Sequence, residues 1–160
     1  MPMAPVVCAT LDVREIAWCE PTTLFAAWDR DPYLAFLDGA APADPRGRYS
    51  YLAIEPFRVL TAIDGLVSID GVPVPGDPFA VLERELARYR IEPGAAPVPF
   101  TGGAVGLLGY ELGHGVMGQP GRHANDLAIP DMVVAFYDVV FAFDQTERRA
   151  WLLSSGLPAT

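Results

Sequence analysis

Apolar residues recur along this chain with two different periods, and turn residues separate the runs. Residues 13–18 (VREIAW) form a short run that predicts a strand. EPTTLFAAWDRD follows, with Pro21 near its start and Leu24, Phe25 and Trp28 on one side, and predicts a short helix. YLAFL (33–37) predicts a buried strand and RYSYLAI (48–54) another. DGAAPADPRG between them, with two prolines, two glycines and two aspartates, predicts a loop. FRVLTAIDGLVSIDGVPV alternates apolar and polar positions around Asp64-Gly65 and Asp70-Gly71, a strong hairpin signal. Asp77-Pro78 predicts the cap of a helix running to about residue 90, with Phe79, Leu82, Leu86 and Tyr89 inward. The apolar run 131–143 predicts one strand that closes as a hairpin with 149–154 over DQTER. Strands outnumber helices and are mostly joined by hairpins. The expected class is α+β, with a large antiparallel sheet or sheets and a few packed helices.

Composition narrows the partners. The chain has 160 residues, 51% of them hydrophobic and 19% charged, which is enough for one packed domain over 1–160. The net charge of −9 and the lack of a basic cluster speak against nucleic acid and anionic membrane. Every cationic side chain is Arg, so a lysine nucleophile or Schiff base is excluded, and so is a P-loop lysine. Cys8 and Cys19 have no second pair and no zinc spacing, as in a reduced cytoplasmic protein. The N-terminus reads as no signal peptide, and no run approaches the roughly 20 apolar residues of a membrane span.

PFTGGAVGLLGYELG (99–113) carries five glycines. The spacing Gly103-x-x-Gly106-x-x-Gly109 fits neither a P-loop nor a dinucleotide fingerprint, and the interleaved Ala104, Val105, Leu107 and Leu108 call for burial. A strand against which another backbone packs closely is the physical reading, with Gly103 and Gly106 standing where a side chain would collide. Tyr110-Glu111-Leu112 then begins a short helix or turn. His114 and His123 read as solvated loop residues rather than a metal pair. Asp131, Asp138 and Asp144 read as turn and strand residues rather than a catalytic carboxylate cluster, with 138 and 144 on one strand face and 131 opposite. Trp18, Trp28 and Trp151 read as core.

Together these stretches resemble the N-terminal domain of the chorismate-utilising synthases, aminodeoxychorismate (para-aminobenzoate) synthase component I and anthranilate synthase component I. The residues that carry the likeness are Pro99 through Glu111, then Ile129-Pro130-Asp131-Met132, Tyr137-Asp138 and Asp144, with 36–56 upstream. The resemblance implies a domain without catalytic residues or a cofactor of its own. Chemistry and Mg²⁺ would belong to a C-terminal chorismate-binding domain absent from these 160 residues. It implies a parent enzyme that aminates chorismate to 4-amino-4-deoxychorismate for para-aminobenzoate and folate synthesis. Its ammonia would come from a glutamine amidotransferase, component II. An anthranilate synthase parent, or a free-standing aromatic-ligand domain, remains the alternative. The resemblance also implies a tryptophan-type site at Asp38, Gly39, Arg46, Gly47, Arg48 and Tyr49. There the family's serine position falls on Gly39 and Asp38 could face an ammonium group; otherwise Asp38-Gly39 is a turn between strands.

Overall fold

The computed structural model describes residues 6–39, 44, 47–92, 94–113 and 129–158. The chain opens with β1 (Val7–Thr10), β2 (Asp12–Ile16), α1 (Pro21–Trp28), β3 (Ala35–Leu37) and β4 (Tyr49–Ile54). Two consecutive hairpins follow, β5 (Arg58–Ile63), β6 (Leu66–Ile69) and β7 (Val72–Val74). Their Asp-Gly turns both have positive φ at both residues, as the type I′ turn requires. Then come α2 (Pro78–Leu86), β8 (Tyr89–Glu92), β9 (Gly103–Leu108), β10 (Met132–Tyr137), β11 (Val139–Asp144) and β12 (Arg149–Ser154).

The strands form two five-stranded antiparallel sheets, β7-β6-β5-β10-β9 and β2-β12-β11-β4-β3. A separate parallel pair joins β1 to β8. The two large sheets pack face to face. Tyr51, Ala53, Val140, Ala142, Trp151 and Leu153 of one meet Ala135 and Tyr137 of the other, with Val59 and Val105 against them. The outer face of the first sheet holds Leu60, Ala62, Val67, Met132, Val134 and Phe136 under Val81 and Leu82 of α2. The outer face of the second carries α1, where Phe25 stacks on Phe36 and Trp28 tilts onto Phe141. The result is an α-β-β-α sandwich, each sheet buried on both faces near its middle. Each fully buried Leu, such as Leu60 or Leu153, contributes about 1.5–3 kcal/mol of transfer free energy.

Four expectations need correction. The run 131–143 is two strands in two different sheets, because Asp138 interrupts the ladder and the chain crosses from one layer to the other. The second helix ends at Leu86, so Tyr89 belongs to β8, and its inward pair is Val81 and Glu85 rather than Phe79 and Leu86, which are exposed. A carboxylate takes an inward position because Arg58 Nη1 donates to Glu85 at 2.7 Å and Arg88 Nη1 at 3.2 Å, which pairs the buried charge. β3 is a half-buried edge strand with Leu37 exposed, not a buried one. Trp151 is core, but Trp18 and Trp28 are only half-buried: Trp18 meets Phe143 edge-on, and Trp28, the last residue of α1, tilts onto Phe141.

Candidate functional site

Asp38 and Gly39 leave β3 while Gly47, Arg48 and Tyr49 enter β4, and the antiparallel pairing of these strands returns the two segments to each other. The Gly39 amide donates to Ser50 Oγ at 2.9 Å, and Ser50 Oγ donates to Asp38 Oδ1 at 2.8 Å. Gln145 Nε2, from the turn after β11, donates to the Gly39 carbonyl at 2.8 Å and also to Ser50 Oγ. The fully buried Ser50 hydroxyl thus gives one hydrogen bond and accepts two, its whole capacity. Gly39 is walled in by backbone: a Cβ there would lie 2.4 Å from the Gly47 carbonyl oxygen and 2.5 Å from that of Tyr49.

Beside this cluster Arg48 Nε donates to Asp144 Oδ2 at 2.9 Å, joined by Nη2. Asp144 Oδ1 accepts the Thr146 and Glu147 amides at 3.0 and 3.1 Å, closing the β11–β12 turn. Burial opposes ionisation of Asp144, but the Arg48 hydrogen bond, the turn amides and the Arg48 charge outweigh it and hold the carboxyl below its ordinary value. The Arg48 guanidinium lies over the Tyr49 ring at 5.1 Å. Tyr49, Tyr51 and Phe100 continue as a row of rings, Tyr51 to Phe100 edge-on at 5.4 Å. The Arg48 side chain is 38% exposed and Asp38 is exposed, whereas Tyr51 is buried and Tyr49 and Phe100 pack against the core between the sheets. Ser50 and Asp144 are committed to the protein's own hydrogen bonds, and so is Asp38 Oδ1.

Asp38, Gly39, Gly47, Arg48 and Tyr49 are therefore brought together; Arg46 lies outside the described residues, as do His114 and His123. Sequence reasoning missed Ser50 and Gln145 as members. Ser50 lies within the RYSYLAI motif and was legible there, whereas Gln145 joins from 106 residues away and carried no local signal.

The glycine-rich strand is framework, for two different reasons. A Cβ at Gly106 would meet the Val133 carbonyl oxygen at 2.3 Å and Val134 Cα at 2.8 Å, across the β9–β10 ladder. Gly103 corrects the expectation of a collision: open space surrounds its Cβ position, and glycine serves there because φ is +115°. The three aspartates do not share a strand face. Asp131 accepts the Asp64 amide at 2.7 Å. Asp138, in the break between sheets, accepts Ser155 N and Oγ, Ser154 Oγ and Leu157 N. Cys8 is exposed and Cys19 half-buried, and both are free thiols.

Among the described residues no group of three or more His, Cys, Asp or Glu is placed to hold a metal. Among them, too, no helix is long and apolar enough to cross a membrane.

No protein-family model matches the chain. Individual relatives do. Aminodeoxychorismate synthase from Streptomyces pristinaespiralis is 35% identical over 98% of this chain and 24% of its own length. Anthranilate synthase component 1 from Bacillus caldotenax is 34% identical over 81% of this chain and 27% of its own. Aminodeoxychorismate synthase component 1 from Salmonella typhimurium is 30% identical over 81% of this chain and 30% of its own. Anthranilate synthase component I from Streptococcus pneumoniae TIGR4 superposes with a TM-score of 0.62 at 20% identity, over 91% of this chain and 32% of that one, a likeness of fold. The chain thus spans less than a third of the length of these relatives.

Proposed function

The chain belongs to the family of aminodeoxychorismate synthase component 1 and anthranilate synthase component 1, and from that premise we propose that it is the non-catalytic N-terminal domain of an enzyme that aminates chorismate to 4-amino-4-deoxychorismate. The observation that carries this reading is the match to a named aminodeoxychorismate synthase over 98% of the chain. Under it, residues 1–160 form one domain, and a chorismate-binding domain supplies the Mg²⁺ carboxylates and the acid and base. A cytoplasmic glutamine amidotransferase supplies ammonia. An anthranilate synthase parent is the second reading, favoured by the 34% identity to the Bacillus caldotenax component.

The same proposal makes the Asp38–Tyr49 cluster, including Arg46, the chain's contribution to a tryptophan-type site. Asp38 would face the ligand's ammonium, Arg48 its carboxylate, and Tyr49 the indole. Binding to this chain alone is expected to be weak. Leaving about 60 Å² of ring in water forgoes about 1.5 kcal/mol, near tenfold in affinity. Calorimetry with tryptophan up to a few millimolar should show no micromolar site; a micromolar site would mean that the chain holds the whole pocket. For the activity itself, the chain is incubated with chorismate, ammonium and Mg²⁺ and the products are separated by chromatography. No turnover is expected. Turnover abolished by a substitution within the chain would overturn the non-catalytic reading.

A further inference from the structure

Aspartate is followed by glycine at three places, Asp38-Gly39, Asp64-Gly65 and Asp70-Gly71. Glycine has no side chain to shield its amide nitrogen. That nitrogen can therefore close on the aspartyl Cγ to give a cyclic imide, provided that the carboxyl group is free to swing onto it. All three aspartates are exposed, so exposure does not separate the pairs. Hydrogen bonding does. At Asp38-Gly39 the buried Gly39 nitrogen donates to Ser50 Oγ at 2.9 Å, and Asp38 Oδ1 accepts from the same hydroxyl at 2.8 Å. Nucleophile and carboxylate are both held. At Asp70-Gly71 the carboxylate is clamped to the neighbouring strand: Oδ1 accepts the Val59 amide at 2.8 Å, and Oδ2 lies 3.6 Å from Arg58 Nε. At Asp64-Gly65 only the main chain is engaged, the Asp64 amide donating to Asp131 Oδ2 at 2.7 Å, and the Asp64 carboxylate has no partner among the described residues.

We propose that Asp64-Gly65 is a modification site, where the folded chain isomerises to isoaspartate and becomes a substrate for a carboxyl methyltransferase that uses S-adenosylmethionine. The Gly65 nitrogen bonds to Asp64 Cγ. Its proton and the carboxyl hydroxyl leave as one water, and a succinimide forms. Water then adds to the main-chain carbonyl of Asp64, that carbon parts from the Gly65 nitrogen, and the chain runs on through Cγ. One water leaves and one enters, and no electrons are transferred. The former main-chain carbonyl ends as a free carboxylate. The methyltransferase moves the sulfonium methyl onto that carboxylate and releases S-adenosylhomocysteine. The change has a structural consequence as well. The turn gains a methylene where the Ile63↔Leu66 pairing allows only Asp64 and Gly65. The misfit falls on the Asp64–Asp131 bond, which ties the hairpin tip to the residue before β10.

The test ages the chain at neutral pH in two portions, one folded and one held unfolded in urea. Isoaspartate leaves the mass unaltered, so it is read by enzymatic methylation with labelled S-adenosylmethionine and located by peptide mapping. In urea the three pairs should be labelled to comparable extents. In the folded chain the label should gather at Asp64, several times above that at Asp38 or Asp70. Asp64→Glu should remove it, because closure would then need a larger ring. Asp64→Asn suits the same turn and should raise it, since ammonia then leaves in place of water. Folded label at Asp38 or Asp70 as heavy as at Asp64 would overturn the assignment, because the hydrogen bonds would then protect nothing. Label at Asp64 in urea but not in the folded chain, with Asp64→Asn equally silent when folded, would show that the turn forbids closure and would overturn the proposal.

Discussion

Glycines in this protein do different jobs, and only the neighbours reveal which. At Gly39 the constraint is space: a Cβ there would stand 2.4 and 2.5 Å from two backbone carbonyl oxygens. Gly39→Ser, which on motif grounds would restore a missing hydroxyl, is therefore expected to destabilise by about 1–3 kcal/mol, because backbone cannot step aside as a side chain can. A thermal melt checks it, with a drop of several degrees expected; an unchanged melting temperature would mean that residues 47–49 yield. Gly106→Val should cost at least as much, since its Cβ would meet the Val133 carbonyl oxygen in the neighbouring strand. Ser50 already provides the hydroxyl beside Gly39, a placement legible from the strand motif but not its partners.

At the scale of elements, the hairpins and the cap of α2 were legible because their causes are local. Asp-Gly at a turn and Asp77 Oδ1 accepting the Phe79 and Ala80 amides need only a few consecutive residues. The break at Asp138 was not legible. MVVAFY and VVFAFD are equally apolar, and what separates them is that Asp138 turns away to hold residues 154–157, which lie at the end of a later strand. Asp138→Ala would leave the Ser155 and Leu157 amides and the buried Ser155 hydroxyl without that acceptor. A loss on the order of 3 kcal/mol is expected in urea unfolding, where each buried polar group left unpaired costs about 1–3 kcal/mol. A loss within experimental error would show that the sheet crossing holds without this carboxylate. The second helix failed in the opposite way. Its apolar residues suggested one face, and the Arg58–Glu85–Arg88 pairing selected another.

Across the whole molecule, the interface between the sheets leaves its mark on pH dependence. Tyr137 sits in that interface and its hydroxyl donates to the Tyr33 carbonyl; burial pushes its pKa up to about 12 from an ordinary 10.0. A raised phenol pKa favours the fold while the phenol stays neutral in both states. That stability is whole below about pH 10 and drains away as the pH rises towards about 12. Tyr137→Phe should flatten this alkaline loss, measured as denaturation midpoints through that window, while lowering stability at neutral pH through the lost hydrogen bond. An alkaline slope identical in the variant would place the effect elsewhere. The sequence by itself determined the strand-rich class, the turns, the helix starts and the family likeness, because these follow from local periodicity, local capping and ordered motifs. Only the tertiary structure decided that the strands divide into two packed sheets and that Ser50 and Gln145 close the Gly39 segment. It alone decided that, among the described residues, Ile63, Leu66 and Leu107 stand exposed on one sheet face. Each of these depends on which distant residues meet, and chain order does not encode that meeting in any short stretch.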